Sequence, residues 1–438
     1  MVFSMSLIGK ILFFNYEDNI FMKIYKINGH KHDDILFSWF IVCCGCVGAI
    51  NLAKLAPSMN RLIDYFEISL STSGLLGGIF SILMISTGLI GGIIIAKYGP
   101  RLAMIIGLLI SFLGCLIPIF NQNIIGLMSG RALEGYGFLL INLSGPVLLN
   151  LHTSSKIRGK VMGIWGSFMP AGNAAIIIIA PLIYLLFDWD FLWQLSGFYS
   201  FCILFLALRI IPSDPQYFKL QNKEKLKPLV IKSMKNLKIF IIGGTFACHS
   251  LIFLGNMQFL PYYFEKIEGY SENLSFVATA SYCLISFAGH LYCGILLNNG
   301  KKPENLIGFA FIISAIFVSL FFGVFDKYIF FEEVRIFKFL TIMIAAFFMG
   351  LTPPTIFYLV SYISPPSRIT PLNYGYMVQI QAIGIFSGSF LYGWLVDLTG
   401  GWSIIGLLSI FISILGIIGG FVSSQLILEN SKSQNETN

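Results

Sequence analysis

Residues 130–150 read GRALEGYGFLLINLSGPVLLN and place an arginine and a glutamate inside an otherwise apolar run. Arg131 and Glu134 are three residues apart, so on a helix they share one face. The run is long enough to cross a bilayer, where a charge near the centre costs about 2.5–3.5 kcal/mol. The basic connector LHTSSKIRGK (151–160) follows, and then VMGIWGSFMPAGN (161–173), which is interrupted by glycine and proline. A helix hairpin with buried charge and a glycine-rich packing face is typical of transporters.

The whole chain has the composition of an integral membrane protein. Of its 438 residues, 56% are hydrophobic and 11% are charged, and the mean hydropathy is +0.81. These values exclude an ordinary soluble globular protein. Apolar runs of membrane-spanning length recur twelve times and predict an all-α fold. The twelve predicted helices are 35–56, 74–96, 102–120, 124–149, 161–187, 191–211, 239–264, 274–297, 306–325, 337–363, 372–396 and 403–428.

The eight cysteines all lie inside these apolar runs. Their spacing matches neither a disulfide framework nor a zinc site, so we interpret them as small apolar side chains. The chain also has no glycine-rich loop of the G-x-x-x-x-G-K-S/T kind that binds ATP. We therefore expect no metal and no cofactor, and any transport must be driven by the gradient of an ion or of the substrate.

The positive charges indicate the orientation of the chain in the membrane. Five lysines and arginines lie in the odd-numbered connections: Arg61, Lys266, Lys327, Arg335 and Lys338. Fifteen lie in the connections after even-numbered helices: Lys97, Arg101, Lys156, Arg158, Lys160, Lys219, Lys223, Lys225, Lys227, Lys232, Lys235, Lys238, Lys301, Lys302 and Arg368. By the positive-inside rule the even connections and both termini are cytoplasmic. The net charge of +7 then reflects orientation and not nucleic-acid binding.

Two internal correspondences predict two pseudosymmetric six-helix bundles. Asp188 and Trp193 recur 209 residues later as Asp397 and Trp402, and the turn after helix 8 resembles the turn after helix 2. The predicted parts are a cytoplasmic leader (1–34), an amino-terminal bundle (35–211), a cytoplasmic interdomain loop (212–238), a carboxy-terminal bundle (239–428) and a cytoplasmic tail (429–438). Met22 is an alternative start, because the residues that follow it form a short basic leader.

The turn between helices 2 and 3 carries a family resemblance. It contains Gly92, Lys97, Gly99 and Arg101 and resembles the signature of the major facilitator superfamily. That signature has an Asp and an Arg where this chain has Ala96 and Lys97, so the conformational contact of that Asp is not expected here. Arg131 and Gly135 match the superfamily pattern on helix 4. The resemblance implies twelve helices in two bundles, with a central site that opens alternately to each side.

Three segments have a narrower resemblance. They are NLAKLAPSMNRL (51–62), RALEGYGFLLINLSGPVLL (131–149) and RGKVMGIWGSFMPAGNA (158–174). Together they are similar to the cyanate-permease and nitroimidazole-transporter branch. This resemblance implies a permease for a small solute, with cyanate as the example.

Charged and amide side chains inside the predicted helices are the candidates for substrate binding or coupling. Lys54 and Arg131 are two cations in the amino-terminal half and favour a small anion, with Glu134 neutralising Arg131 or exchanging a proton. Two alternatives remain: Arg131 and Glu134 only pin neighbouring helices, or Lys54 extends to the membrane surface. The further candidates are Asn173 on helix 5, His249 and Asn256 on one face of helix 7, and Gln379 on helix 11, with His290 as a weaker one.

The function predicted from sequence is secondary active transport of a small solute, with protons as a candidate coupling ion. We expect a monomer in a bacterial inner membrane. Export of small drug-like compounds is the alternative transport function. A membrane-embedded enzyme would need a cluster of catalytic acids, histidines or metal ligands at one membrane face, so we do not expect an enzyme. A sensor that has lost transport also remains, because the signature Asp is missing.

Overall fold

Twelve membrane-length helices form the fold, as the sequence predicts. The computed structural model describes residues 31–214, 226–324, 334–364 and 369–435. Within these residues, twelve helices are long and apolar enough to cross a membrane. Spans 1 to 12 are Ile35–Phe66, Leu70–Tyr98, Pro100–Phe120, Ile124–His152, Arg158–Ile183, Trp189–Ile210, Leu237–Ile267, Glu272–Asn298, Pro303–Phe321, Arg335–Ile363, Ile369–Thr399 and Ser403–Ser423.

Three spans are interrupted. Span 1 consists of helices Lys31–Ala53 and Leu55–Phe66, which meet at Lys54. Pro57 lies three residues after Lys54, and because proline has no N–H, it cannot bond the carbonyl of Ala53, four residues earlier. Span 5 consists of helices Arg158–Gly166 and Phe168–Ile183, and span 10 of helices Val334–Met349 and Thr352–Ile363.

The parts outside the spans are described only in places. Residues 1–30, 215–225, 325–333, 365–368 and 436–438 lie outside the described residues. Most of the predicted leader, part of the predicted interdomain loop, and Lys327 and Arg368 of the charge count are therefore not covered. A helix, Leu226–Met234, lies within the predicted interdomain loop 212–238. Its Ser233 shares a 2.9 Å hydrogen bond with Asn373 of span 11. The last helix runs through Ser403–Asn435 and so enters the predicted tail.

Successive spans run in opposite directions, so their connections lie on two sides of the molecule. We call the side with both chain ends and the even-numbered connections the terminal side. The opposite side has the odd-numbered connections. On the opposite side, four spans begin at a residue whose side chain caps the first turn. Ser69, Asn123, Asp188 and Ser271 each accept a hydrogen bond from a backbone N–H of the helix that follows. Such caps satisfy N–H groups that have no partner inside the helix, and they explain where these spans begin.

Glycines allow the two predicted halves to approach each other closely. A Cβ added to Gly163 of span 5 would lie 2.6 Å from the Cα of Gly294 in span 8. A Cβ added to Gly88 of span 2 would lie 2.8 Å from the carbonyl oxygen of Gly375 in span 11. Backbones this close leave no room for larger side chains, as at many interfaces between membrane helices.

We predict that the terminal side is cytoplasmic. Ser154 is exposed on the terminal side and Gln122 is exposed on the opposite side. A cysteine introduced by Ser154→Cys should react with a membrane-impermeant thiol reagent only after the membrane is opened. The matched variant Gln122→Cys should react in intact cells. The unsubstituted chain gives the background from its eight native cysteines, and labelling of Ser154→Cys in intact cells would contradict this orientation.

Candidate functional site

A cluster of three charged side chains is buried between spans 1 and 4. Lys54, Arg131 and Glu134 are each 0% exposed. The Lys54 Nζ lies 2.8 Å from Glu134 Oε1, and the Arg131 Nη1 lies 2.9 Å from Glu134 Oε2. Each oxygen of one carboxylate therefore pairs with a different cation. We call these three residues the charged cluster.

Lys54 is satisfied inside the protein and does not extend to the membrane surface. Besides Glu134, its ammonium group donates to Asn51 Oδ1 at 3.0 Å and to Ser196 Oγ at 2.9 Å. These three acceptors match the three N–H donors of a lysine ammonium group. Its Nζ also lies 3.4 Å from the Cys115 sulfur and 4.7 Å from the ring centroid of Trp193. One side chain thus joins spans 1, 3, 4 and 6.

Arg131 binds the backbone of span 1 where that helix is interrupted. Its guanidinium group donates to the Asn51 carbonyl and, at 3.3 Å, to the Leu52 carbonyl. It also lies over the Phe80 ring of span 2, 4.7 Å from the centroid. A cation is well suited to the carbonyl end of a helix, because the helix dipole and the unpaired carbonyls are both negative there. The interruption and the arginine therefore stabilise each other.

We predict that removing the carboxylate costs more stability than removing one cation. Glu134→Gln leaves two buried cations without a counter-charge, which should cost about 3–5 kcal/mol of unfolding free energy. Lys54→Met leaves Arg131 and Glu134 as a neutral pair and should cost less. Thermal unfolding of both purified variants in the same detergent measures the difference. Equal losses in the two variants would contradict the shared-carboxylate arrangement.

A small cavity lies between spans 4, 5, 7, 8, 10 and 11, nearer the terminal side than the opposite side. Its volume is about 30 Å³, room for one or two water molecules, since each needs at least roughly 10–15 Å³. None of the described lining residues carries a fixed charge. They are Asn142, Gly166, Phe168, Met169, Phe246, His249, Ser250, Phe253, Leu254, His290, Pro353, Phe357 and Gln381.

On the terminal side, the cavity is closed by contacts between the two predicted halves. Asn150 of span 4 donates to Ser361 of span 10 at 3.3 Å. A Cβ on Gly92 of span 2 would lie 2.5 Å from the carbonyl oxygen of Pro371 in span 11. The Gly163–Gly294 contact lies on the same side.

The opposite side is closed as well. Asn60 of span 1 donates to Glu265 of span 7 at 2.6 Å. Arg61 lies 3.4 Å from Glu272 at the start of span 8 and 3.8 Å from Asp188. These charges are partly exposed, so each pair contributes only about 0–1 kcal/mol. Contacts between the predicted halves therefore lie on both sides of the cavity.

The structure separates the residues singled out from sequence into different environments. His249 lines the cavity, as does the weaker candidate His290. Asn173 is buried in span 5; in the amide orientation that satisfies its neighbours, it donates to two backbone carbonyls at 3.1 Å. Asn256 accepts from the Tyr392 hydroxyl at 2.9 Å. Gln379 accepts from the backbone N–H of Leu89 at 3.0 Å, which joins span 11 to span 2.

The charged cluster also lies outside the cavity wall. On span 4, Arg131 precedes the lining residue Asn142 by eleven residues, a rise of roughly 16 Å at 1.5 Å per residue. Sequence reasoning missed Asn142, Ser250 and Gln381. A signal existed for Asn142, because eleven residues make three helical turns and place it on the same face as Arg131.

The signature turn between spans 2 and 3 is held by the end of span 6. Gly99 has φ +92°, and a Cβ there would lie 2.1 Å from the Asp214 carboxylate. That carboxylate accepts from the backbone N–H of Arg101 at 3.0 Å. The Arg101 side chain donates to Ser213 at 2.9 Å and to the Leu208 carbonyl at 3.0 Å. An acid that follows span 6 therefore contacts this turn, in a chain that has Ala96 at the usual Asp position.

We predict that Gly99→Ala is more damaging than Gly400→Ala. Both glycines have positive φ, +92° and +70°, so alanine should cost about 1–3 kcal/mol at either site from backbone strain. Only at Gly99 does the new Cβ also meet a side chain, that of Asp214; nothing lies within 4 Å of a Cβ at Gly400. The unfolding midpoint in detergent should fall further for Gly99→Ala, and equal midpoints would contradict the contact.

Known proteins match both the sequence and the fold. An uncharacterized transporter of Buchnera aphidicola subsp. Baizongia pistaciae (strain Bp) is 25% identical over 318 residues, 69% of this chain and 76% of that protein. A second, from Buchnera aphidicola subsp. Schizaphis graminum (strain Sg), is 28% identical over 194 residues, 44% of this chain. The chain covers about half of that second relative, 49% of its length.

A solved structure shares the fold. It is the proton:xylose symporter XylE bound to 6-bromo-6-deoxy-D-glucose, with a TM-score of 0.69 and 17% identity, covering 88% of this chain and 94% of the other. The sequence model of the Major Facilitator Superfamily matches residues 41–370. Because this match covers more than half of the chain, the chain belongs to the Major Facilitator Superfamily of transporters.

Proposed function

We propose that the chain is a secondary active transporter that moves a small solute by alternating access. The observation that supports this most directly is the cavity between spans 4, 5, 7, 8, 10 and 11. It has an uncharged wall within the membrane-spanning region, and contacts between the predicted halves lie on both of its sides. Helices of both predicted halves contribute to it, so a rocking motion of one half against the other would open it to one side at a time.

In this proposal the lining residues bind the solute, and the charged cluster does not touch it. Lys54, Arg131 and Glu134 instead hold spans 1, 3, 4 and 6 together as one moving unit. Asn173 and Asn256 support the helices beside the cavity through their hydrogen bonds. Gln379 contributes to the contact between spans 2 and 11, which must change when the halves move.

The solute class that we propose is a small anion, with cyanate as the first candidate. The described cavity wall contains no carboxylate, so a cation entering it would lose its hydration without gaining a counter-charge. The wall does offer imidazole, amide and hydroxyl groups that can donate hydrogen bonds. The charged cluster adds a net positive charge, since two cations share one carboxylate.

A second candidate is export of small drug-like compounds. Four phenylalanine rings line the cavity, from Phe168, Phe246, Phe253 and Phe357. Such rings pack well against flat apolar solutes. The present volume of about 30 Å³ is too small for such a compound, so this function requires the cavity to expand.

Uptake into vesicles containing the purified protein tests the proposal. The panel consists of labelled cyanate, formate, acetate, formamide, acetamide and xylose, with empty vesicles as background. Protein-dependent entry of any member separates a transporter from a transport-deficient sensor. Entry of none of them would contradict the proposed function for small solutes.

Paired cysteines on each side test alternating access. Asn60→Cys with Glu265→Cys closes the opposite side when oxidised, and Asn150→Cys with Ser361→Cys closes the terminal side. We expect either disulfide to abolish uptake and reduction to restore it, because a locked side cannot open. The unsubstituted protein under the same oxidant is the control. Full uptake through a verified cross-link on either side would contradict the mechanism.

A further inference from the structure

Two histidines from neighbouring spans face the same cavity. His249 of span 7 is 4% exposed and His290 of span 8 is 2% exposed. The His290 Nδ1 lies 2.7 Å from the Ser286 carbonyl oxygen, which can only accept, so Nδ1 donates and Nε2 is the nitrogen left for a ligand. Neither ring nitrogen of His249 bonds a described residue, and its ring stacks on Phe253 with centroids 5.6 Å apart.

Two amide side chains in the same wall also have polar atoms without a partner. Among the described residues, nothing bonds the buried Asn142 Oδ1, although the side chain is only 2% exposed. Gln381 donates to Ser250 Oγ at 3.1 Å, but its Oε1 has no described partner. Buried polar atoms without partners are costly, so these groups point to a polar ligand that bonds them when it is bound.

The surroundings of the histidines contain no described carboxylate that could pair with a protonated ring. The cavity wall contributed by spans 4, 5, 10 and 11 is uncharged. Titratable groups packed around the wall include two phenols and a thiol that have contacts of their own. Tyr282 stacks behind Phe253, Tyr374 shares a hydrogen bond with Ser361, and Cys293 donates to the Leu351 carbonyl.

A net charge is costly in this cavity, whichever component carries it. An imidazolium alone, or an anion alone, would be buried without a counter-charge, whereas the two together form a neutral pair. The charged cluster cannot supply a second carboxylate or release a cation without losing its own pairing. The histidines are therefore the groups in the wall that can gain a proton when an anion arrives.

We infer that His249 and His290 take up one proton between them when a small monoanion enters the cavity. This inference rests on the proposed function and adds its coupling ion and stoichiometry. The proton comes from water on the open side and forms one N–H bond on an imidazole nitrogen. That bond breaks when the anion is released to the other side. One anion and one proton cross together, and no net charge is moved.

Proton uptake during anion binding tests this inference directly. Cyanate, formate or acetate is added to the purified protein in weakly buffered solution with a pH indicator, beside the neutral analogues formamide and acetamide. We expect about one proton taken up per anion bound and none for the amides. In the double variant His249→Gln with His290→Gln, the proton uptake should fall at least tenfold. The matched control His152→Gln, outside the cavity, should retain it.

A measurement on the unsubstituted protein avoids dependence on the folding of the double variant. In protein with ¹⁵N-labelled histidine, a saturating anion should shift the nitrogen resonances of one imidazole from the neutral to the protonated position, and acetamide should not. Anion binding without proton uptake or without this shift overturns the inference. So does uptake that persists in the double variant, which would assign the proton to the charged cluster.

The vesicle assay separates this inference from the proposed function. Entry of formamide or acetamide without entry of any anion would support transport of a small solute but contradict proton-coupled transport of an anion. Electroneutral coupling also predicts that a pH gradient, acid outside, accelerates formate entry at least several-fold, while an imposed membrane potential does not. Anion entry driven by the potential alone overturns the inference and leaves transport intact.

Discussion

The carboxylate of Glu134 is the constraint on which the amino-terminal part of the structure depends. A single anion compensates two fully buried cations, one from span 1 and one from its own helix. Because each charge would be costly alone in a low-dielectric interior, the three must stay together. Lys54 brings spans 3 and 6 into the arrangement through Cys115 and Ser196. Spans 1, 3, 4 and 6 are thus held as one body by polar contacts, where lipid-like packing alone would give little specificity.

The cavity has the opposite character. Its described wall combines aromatic rings, amides and two imidazoles and carries no fixed charge. We assign different tasks to the two regions. The charged cluster lies within the amino-terminal half, and the titratable wall lies between the two predicted halves. In the proposed mechanism, the cluster keeps one group of helices together during movement, and the histidines of the wall gain a proton when the anion binds. Backbone contacts at glycines, such as Gly163 with Gly294, close the cavity without side chains that would have to be displaced.

The resemblance inferred from motifs and the structure agree on the superfamily and the architecture. The proposed function places the solute at other residues than those singled out from sequence. The sequence predicted Lys54 and Arg131 as ligands for an anion, because they are charges inside apolar helices. In the structure, both bond to groups of the protein. The residues that face the cavity are mostly uncharged, and uncharged residues have weak signals in a sequence. Gln379 and Gln381 illustrate this: they are two positions apart, yet one contacts a backbone N–H of span 2 and the other faces the cavity.

The sequence by itself determined the membrane class, the twelve spans and the superfamily, because hydrophobic length and motif order are local properties of the chain. It also indicated that Arg131 and Glu134 share a helix face, since that depends only on helical period. Only the tertiary structure decided that Lys54 shares Glu134 with Arg131 and that Asp214 contacts the signature turn. These contacts join residues 80 and 113–115 positions apart, across helices whose rotation and depth follow from packing. For the same reason, the position of His249 and His290 on one cavity wall could not be derived from their positions in the chain.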